Sequence, residues 1–363
     1  MDRPGAEYFS STYAQARRKF LHAADAIRLP CTSHPHPLPG RQSENLAMDV
    51  VVDGDPRAER MLIVSSGCHG VEGFAGSAVQ AFALQDEALR SRARAAGVTL
   101  LHIHGLNPYG FSYLRRTTHE NVDLNRNFQD FSKPLPGNDS YRRVHPLLLP
   151  RQWPPPAENE AALMELMQST GVKALQAVVS RGQHEFADGL FFGGSEPCWS
   201  NLTLRRVLRD FGRHARQLAW IDFHTGLGPT GVGERILACE PGVAEQRARA
   251  VWGPAITSIH DDSSTSSFLT GPMWTAARDE CPQADYIGIA LEYGTAPLLE
   301  VLQALRADNW LQAQLRAGAA RPPDEMVQAI GRQMMRAFHV DTDEWKTRVI
   351  EQGRDAICDA IAP

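Results

Sequence analysis

The run MLIVSSGCHGVE (residues 61–72) is an apolar stretch that passes directly into a small polar turn. After it, residues 74–97 (FAGSAVQAFALQDEALRSRARAAG) have the composition of a helix that ends at a glycine, and residues 98–105 (VTLLHIHG) form a second apolar run. A strand, a helix and a strand at this spacing predict a βαβ unit with two parallel strands.

Further apolar runs lie on both sides of this unit. Residues 47–54 (AMDVVVDG) precede it with only a short turn-like segment between, which predicts a hairpin. Residues 217–226 (QLAWIDFHTG) and 286–295 (YIGIALEYGT) are two more candidate strands. Alternating strands and helices predict a single α/β domain, spanning residues 1–363, around a largely parallel sheet.

Three segments flank or interrupt these strands. Residues 1–46 are expected to form an N-terminal helix (5–28) followed by a loop (29–46), and residues 296–363 to form C-terminal helices. The Pro-rich residues 130–157 are expected to be an irregular surface insert rather than a linker, because apolar runs of the same type resume after them.

The composition excludes several classes of protein. The chain has 363 residues, of which 43% are hydrophobic and 22% charged, and these values are ordinary for a soluble globular protein. A net charge of -5 argues against a nucleic-acid or membrane partner. No apolar run is long enough for a membrane span, and the N-terminus lacks the apolar core of a secretory signal, so the expected location is the cytoplasm.

Motifs of other enzyme classes are missing from the sequence. The six cysteines are scattered and form no CxxC pair, which predicts reduced thiols rather than a disulfide framework or a zinc ribbon. There is no G-x-S-x-G elbow of a serine hydrolase, no G-x-G-x-x-G and no P-loop.

Metal-ligand side chains follow the predicted strands. His69 and Glu72 come after the first strand of the βαβ unit, and His224 and Glu292 end the two later strands. The carboxyl ends of strands form the ligand crevice of an open α/β sheet, so these side chains are expected to meet there. Two imidazoles and one carboxylate suit a catalytic zinc, since they leave one position open for water. Taken singly, each has a structural explanation, but their combination favours a metal site.

Glu292 is predicted to be a general base. A carboxylate at the end of an apolar strand is costly to bury without a partner, and a cation with its bound water is one such partner. The alternative is an ion pair with a structural arginine.

The segment after VTLLHIHG carries a candidate carboxylate-binding pair. Asn125 and Arg126 stand together, and an arginine fork with an amide donor binds a carboxylate well. The alternative is an ordinary surface pair. Two other residues receive structural interpretations: Cys68 is expected to fill the turn before His69 rather than to bind metal, and His102 is expected to be a structural residue, as is the alternating His104.

Together these motifs resemble the zinc metallocarboxypeptidases of the M14 type, and within them the bacterial DUF2817 branch. The resemblance rests on residues 69–72 (HGVE), 107–110 (NPYG), 125–128 (NRNF), 222–225 (DFHT) and Glu292, and it covers roughly residues 45–300. It implies an α/β/α fold with a mixed, mostly parallel eight-stranded sheet.

The resemblance also implies roles for the metal-site residues. His69, Glu72 and His224 would bind one zinc per chain, and Glu292 would be the general base and then the general acid. Asp123 resembles the carboxylate that orients a ligating histidine.

For the substrate, the resemblance implies three more residues. Asn125 and Arg126 look like the pair that holds a terminal carboxylate. Arg116 resembles the arginine that polarises the scissile carbonyl, with Arg115 as the alternative one residue away.

The implied activity is zinc-dependent hydrolysis of an amide bond next to a free carboxylate, as in a carboxypeptidase. The substrate would be a small peptide or an N-acyl amino acid, and an amidoacylase or a non-catalytic binding protein on the same fold are the alternatives. The sequence departs from the digestive enzymes after the first ligand pair (Gly73 to Gly76). The tyrosine of their mobile loop also has no clear match, because Tyr286 and Tyr293 lie too close to the Glu292 strand.

Overall fold

A computed structural model describes residues 5–362. Its sheet has seven strands in the order β1-β2-β4-β3-β5-β7-β6. The strands are β1 (Cys31–Pro39), β2 (Asn45–Asp53), β3 (Arg60–Ser66), β4 (Val98–His104), β5 (Gln217–Gly226), β6 (Gly233–Leu237) and β7 (Asp285–Gly294). The four central strands, β4, β3, β5 and β7, are mutually parallel, whereas β1, β2 and β6 pair antiparallel at the edges.

Thirteen α-helices are present among the described residues. They are α1 (Tyr13–Ala26), α2 (Gly73–Gln85), α3 (Glu87–Ala95), α4 (Pro108–Tyr113), α5 (Asp139–Leu148), α6 (Ala157–Thr170), α7 (Val172–Ser180), α8 (Trp199–Gly212), α9 (Val243–Trp252), α10 (Thr275–Glu280), α11 (Leu298–Arg316), α12 (Asp324–Phe338) and α13 (Asp343–Ala360). No helix within residues 5–362 combines the length and the apolarity that crossing a membrane requires.

Side chains of the central strands alternate between the two faces of the sheet, and helices cover both faces, so the fold has three layers. Leu62 and Val64 of β3 point to one face, where they pack in a core with α2, α3, α9 and α13. Met61 and Ile63 point to the other face, where the core includes α8 and α10. Because both faces are covered, the central strands are almost continuously apolar, as is typical of buried parallel strands.

A third apolar cluster lies beside the layers. It joins residues of α5, α6, α7, α11 and α12 with Phe191, and it stands next to the carboxyl end of the sheet. This cluster becomes one wall of the candidate site.

The predicted α/β/α class and the parallel βαβ pair are confirmed, since β3 and β4 are parallel neighbours. The strand count differs: the described residues form seven strands, not eight. The predicted hairpin is wrong, because β4 lies between β2 and β3. The short connection between these two strands fits a hairpin, but β3 gains more burial between β4 and β5 in the centre of the sheet.

Two predicted irregular segments contain regular structure. The expected loop 29–46 includes β1, an edge strand whose Pro35, Pro37 and Pro39 are tolerated because one side of an edge strand needs no backbone donors. The Pro-rich segment 130–157 includes α5, with Asn138 as its N-cap. All six cysteines lie within the described residues as free thiols.

Candidate active site

The candidate residues lie at the carboxyl ends of three neighbouring strands. After β3 the chain makes a 3-10 turn (Gly70–Glu72) that begins directly after His69 and leads into α2. His224 of β5 and Glu292 of β7 are direct partners in the parallel ladder. The sheet itself therefore holds these side chains at one edge.

Glycine makes this turn possible. A Cβ on Gly70 would stand 2.0 Å from the backbone carbon of Gly110, at the start of α4. The backbone of Gly70 and that of the next residue donate hydrogen bonds to the carbonyls of Arg116 and Arg115. Backbone hydrogen bonds thus hold the turn that carries His69 and Glu72 against the segment that carries Arg115 and Arg116.

His69, Glu72 and His224 converge on one point. The Nδ1 atoms of the two histidines are 3.2 Å apart. A Glu72 carboxylate oxygen lies 3.0 Å from each of these atoms, Oε1 near His69 and Oε2 near His224. All three side chains are buried, and they form one of the two groups with metal-ligand geometry among the described residues.

The outer nitrogens of the same imidazoles face carboxylates. His69 Nε2 is 3.1 Å from Asp123 Oδ1, and His224 Nε2 is 2.6 Å from Asp222 Oδ2. An imidazole that donates from Nε2 presents a lone pair at Nδ1. Two lone pairs and a carboxylate therefore meet at one point, and a cation satisfies all three.

Asp222 is a residue for which sequence reasoning assigned no role. Its Oδ1 accepts a 2.5 Å hydrogen bond from Ser65 Oγ, which in turn accepts one of 2.7 Å from Trp220 Nε1. The available signal was the D-x-H spacing, because residues i and i+2 of a strand point to the same face. Asp222 also belongs, with Cys68 and His224, to the second group with metal-ligand geometry.

The charges of the cluster shift its pKa values. Burial alone would raise the pKa of Glu72, but His69, His224 and Arg116 hold it well below its usual value. Burial alone would lower the pKa of His224, but the Asp222 and Glu72 carboxylates raise it well above its usual value. Glu72 is therefore ionised.

Glu292 has a different environment. Its Oε1 accepts a 2.9 Å hydrogen bond from the backbone nitrogen of Leu227, and none of the ion pairs found within residues 5–362 includes it. Burial, and then the nearby Glu72 charge, raise the pKa of Glu292 to about 7. The structural-arginine alternative thus has no contact to support it, and the pKa is suited to proton transfer near neutrality.

The two neighbouring arginines point in different directions. Arg116 lines the cavity and donates to Glu72 Oε1 at 3.0 Å and to Asp123 Oδ2 at 2.9 Å. Arg115 instead donates to Asp308 and to Asn121 in the interior. Only Arg116 is therefore in reach of the metal-ligand cluster.

Asn125 and Arg126 both line the cavity, but their groups already have protein partners. Asn125 Oδ1 accepts from the backbone of Met273 at 2.8 Å. Arg126 donates to the Ser180 carbonyl through Nε at 2.8 Å and through Nη2 at 2.6 Å, and its guanidinium lies over the Phe191 ring. Burial lowers the pKa of Arg126 to about 10.

Neither candidate tyrosine reaches the cavity. The Tyr286 hydroxyl donates to the Ala238 carbonyl, and the Tyr293 hydroxyl donates to the Val349 carbonyl on the far side of the sheet. Within the described part of the chain, the cavity lining contains no tyrosine.

A cavity that opens to solvent lies above the cluster. Its accessible volume is about 160 Å³, and away from the metal-ligand cluster its lining is mostly apolar.

Comparisons with solved structures found similar folds at low identity. The thrombin activatable fibrinolysis inhibitor is 9% identical, over 95% of this chain and 77% of that one, with a TM-score of 0.45. Carboxypeptidase A from Helicoverpa armigera is 9% identical, over 90% and 74% of the two chains, with a TM-score of 0.42. A succinylglutamate desuccinylase from Silicibacter sp. TM1040 is 13% identical, over 81% and 68%, with a TM-score of 0.34.

Sequence comparisons gave a clearer result. No curated protein sequence matches this chain. One family profile matches residues 9–352, which is most of the chain. Its description is DUF2817, protein of unknown function. The chain therefore belongs to the DUF2817 family.

Proposed function

We propose that the protein is a zinc-dependent hydrolase that cleaves an amide bond next to a free carboxylate. The observation that carries the proposal is the convergence of His69 Nδ1, His224 Nδ1 and the Glu72 carboxylate, with both outer imidazole nitrogens facing carboxylates. The separations of 3.0–3.2 Å are close to the roughly 3.3 Å between neighbouring ligands of a tetrahedral zinc. The donor set therefore fits one zinc ion per chain.

When bound, zinc supplies Lewis-acid chemistry: it lowers the pKa of water toward about 7 and polarises a carbonyl oxygen. Glu292 accepts a proton from the attacking water as the new C–O bond forms. The same carboxyl group then gives that proton to the nitrogen as the C–N bond breaks, so that one water yields an acid and an amine. A pKa near 7 lets one group serve both steps.

Arg116 is proposed to stabilise the oxyanion. Its hydrogen bonds use Nε and Nη1, and among the described residues Nη2 has no acceptor. A preformed donor beside developing negative charge is typically worth on the order of 100- to 1,000-fold in rate.

Arg126 is proposed to attract the substrate carboxylate. Its hydrogen bonds go to neutral carbonyls, and the nearest carboxylate oxygen, Asp123 Oδ1, is 3.8 Å away. Asp123 is also in contact with His69 and Arg116, so it offsets the buried charge of Arg126 only in part. An anionic ligand is therefore favoured, because it offsets more of the cost of burying that charge. Asn125 is the next residue in the chain and lines the same cavity.

An N-acyl amino acid amidoacylase is the second candidate. It uses the same metal site and the same carboxylate pair, and the mostly apolar lining of the cavity favours it, since such a lining suits an acyl group. A non-catalytic binding protein is less well supported, because binding alone does not require Glu292.

The experiment measures bound metal and turnover together. Purified protein is expected to contain one zinc by elemental mass spectrometry and to hydrolyse dipeptides or N-acyl amino acids more rapidly than their C-terminal amides. Glu292→Gln should keep the zinc but lose roughly 100- to 10,000-fold in turnover, since an amide cannot take the proton.

A matched control is Glu160→Gln, which changes the same group at the Arg306 contact outside the cavity. It should retain zinc and turnover. Zinc-free protein, or near-normal turnover of Glu292→Gln, would refute the proposal.

A further inference from the structure

The charged part of the cavity lining is confined to the candidate site. Every charged side chain in the lining belongs to the candidate site: His69, Glu72, Arg116, Arg126, His224 and Glu292. Elsewhere the described lining is apolar or neutral, with side chains from α6, α7, α11 and the segment before α10. A charged group on the substrate, apart from the carboxylate at Arg126, would lose its hydration there without gaining a partner.

Helix α7 lines the cavity with a face that is apolar except for Gln176 and the terminal Ser180. Its lining residues include Val172, Leu175 and Val179, which are three and four positions apart and therefore share one face. Val172 is 49% exposed, whereas Leu175 and Val179 are 5% exposed. The face thus runs from solvent inward, and it ends at Ser180, whose carbonyl accepts from Arg126.

Helix α11 faces the same cavity and repeats this gradient. Leu299 near its start is 37% exposed, whereas Val301 and Leu305 are 4% and 6% exposed. Leu305 and Val179 belong to the same apolar cluster. The two helices therefore form an apolar channel, whose exposed end is defined by Val172 and Leu299.

The length of the channel follows from helix geometry. From Val172 to Val179 the rise is seven residues, or roughly 10 Å, which is about the length of an extended eight-carbon chain. Val172 and Leu299 stand exposed at the end of this apolar lining, where an aliphatic ligand in the cavity would cover them.

We propose that the substrate carries a linear, uncharged aliphatic chain of about eight carbons that occupies this channel while its carboxylate lies at Arg126. The inference rests on the proposed function for the carboxylate and the amide bond. The chain is either the acyl group or the side chain of the amino acid, and both sources present the same methylene groups to α7 and α11.

The test measures binding to Glu292→Gln by isothermal titration calorimetry, so that turnover does not interfere. The probes are N-acetylalanine, N-octanoylalanine and N-acetyl-2-aminodecanoate. Each buried methylene contributes about three- to fourfold in affinity, so burial of only about four methylenes already gives about 100-fold. At least one long-chain probe is therefore expected to bind more tightly than N-acetylalanine by about 100-fold or more. Gains below about tenfold for both long-chain probes would overturn the proposal, and the tighter of the two identifies the source.

Variants at the mouth locate the binding. Val172→Glu and Leu299→Glu change exposed side chains, so the fold tolerates them, and they should reduce the ratio of long-chain to acetyl affinity about tenfold. Val243→Glu is the matched control, because Val243 is 71% exposed and lies outside the cavity lining. A ratio that falls equally in all three variants would contradict the assigned channel.

Turnover of the wild-type protein separates the two proposals. Tight long-chain binding without hydrolysis by the zinc-loaded protein would refute the hydrolase and leave the ligand class standing. Hydrolysis with no preference for chain length would support the hydrolase and refute the channel.

Discussion

Asp222→Asn should weaken zinc binding without unfolding the protein. In the native chain the Asp222 carboxylate accepts from His224 Nε2 at 2.6 Å, which leaves the Nδ1 lone pair for the metal. Ser65 Oγ already donates to the other oxygen of Asp222. In the variant, the amide oxygen therefore remains facing Ser65, and the amide NH2 faces His224. A donor at that position favours the lone pair on Nε2 and moves the proton to Nδ1, the metal-facing atom.

Loss of a carboxylate behind a ligating histidine typically lowers metal affinity about 10- to 100-fold. That range corresponds to about 1.4–2.8 kcal/mol, and the short buried contact in this protein places Asp222→Asn in the upper half of it. The zinc dissociation constant is measured by competition with a chromogenic chelator, and folding is followed by circular dichroism.

Asp53→Asn serves as the matched control. Asp53 is also a buried aspartate, but it is paired with Arg90 away from the site. Its substitution should lower stability and leave zinc affinity unchanged. Wild-type affinity in Asp222→Asn, or an equal loss in both variants, would refute the assigned role of Asp222.

Four further outcomes are expected. His224→Ala should abolish stoichiometric zinc, and full retention by elemental analysis would contradict its role as a ligand. Arg126→Lys should weaken the binding of substrates with a free carboxylate roughly 10- to 100-fold and that of their amides much less, because lysine lacks the bidentate fork. Equal losses of affinity for both would mean that Arg126 is structural. The kcat/KM should fall about tenfold per pH unit below the pKa of Glu292, which lies at or below about 7 because a bound cation favours the carboxylate; a pH-independent rate would exclude it as base. Burial lowers the pKa of His102 from 6.5 to about 4. Below about pH 6.5 the unfolded chain therefore takes up a proton that the folded chain does not, and by about pH 4 this lowers the free energy of unfolding by about 3 kcal/mol. Urea unfolding at both pH values should show a smaller decrease in stability for His102→Leu.

The sequence predicted the central strands well for a physical reason. Strands β3, β5 and β7 are buried on both faces, so each is a short apolar run ending in polar residues, and such runs are visible without knowledge of the partners. The positions of His69, His224 and Glu292 at strand ends followed directly. Their roles in metal binding and catalysis remain predictions.

Other features depend on contacts between distant parts of the chain. The predicted hairpin is wrong because β3 is more buried between β4 and β5 than beside β2, and a short turn alone does not determine which strand it pairs with. The contacts of Arg126 with Ser180 and Phe191 cross more than 50 residues of sequence, and no local pattern reveals them. Arg115 and Arg116 could not be distinguished from the sequence, since only the path of the backbone decides which of them faces the cavity.

The register between β5 and β7 has a consequence for protein engineering. His224 and Glu292 are paired residues of one hydrogen-bonded ladder, so their spacing changes only if the centre of the sheet is disrupted. Ala290 of β7 lines the cavity from within the ladder, but many of the other apolar lining side chains belong to α7, α11 and the segment before α10, outside it. These peripheral segments are therefore a separable module: libraries confined to them can redirect ligand preference while the reactive groups keep their positions.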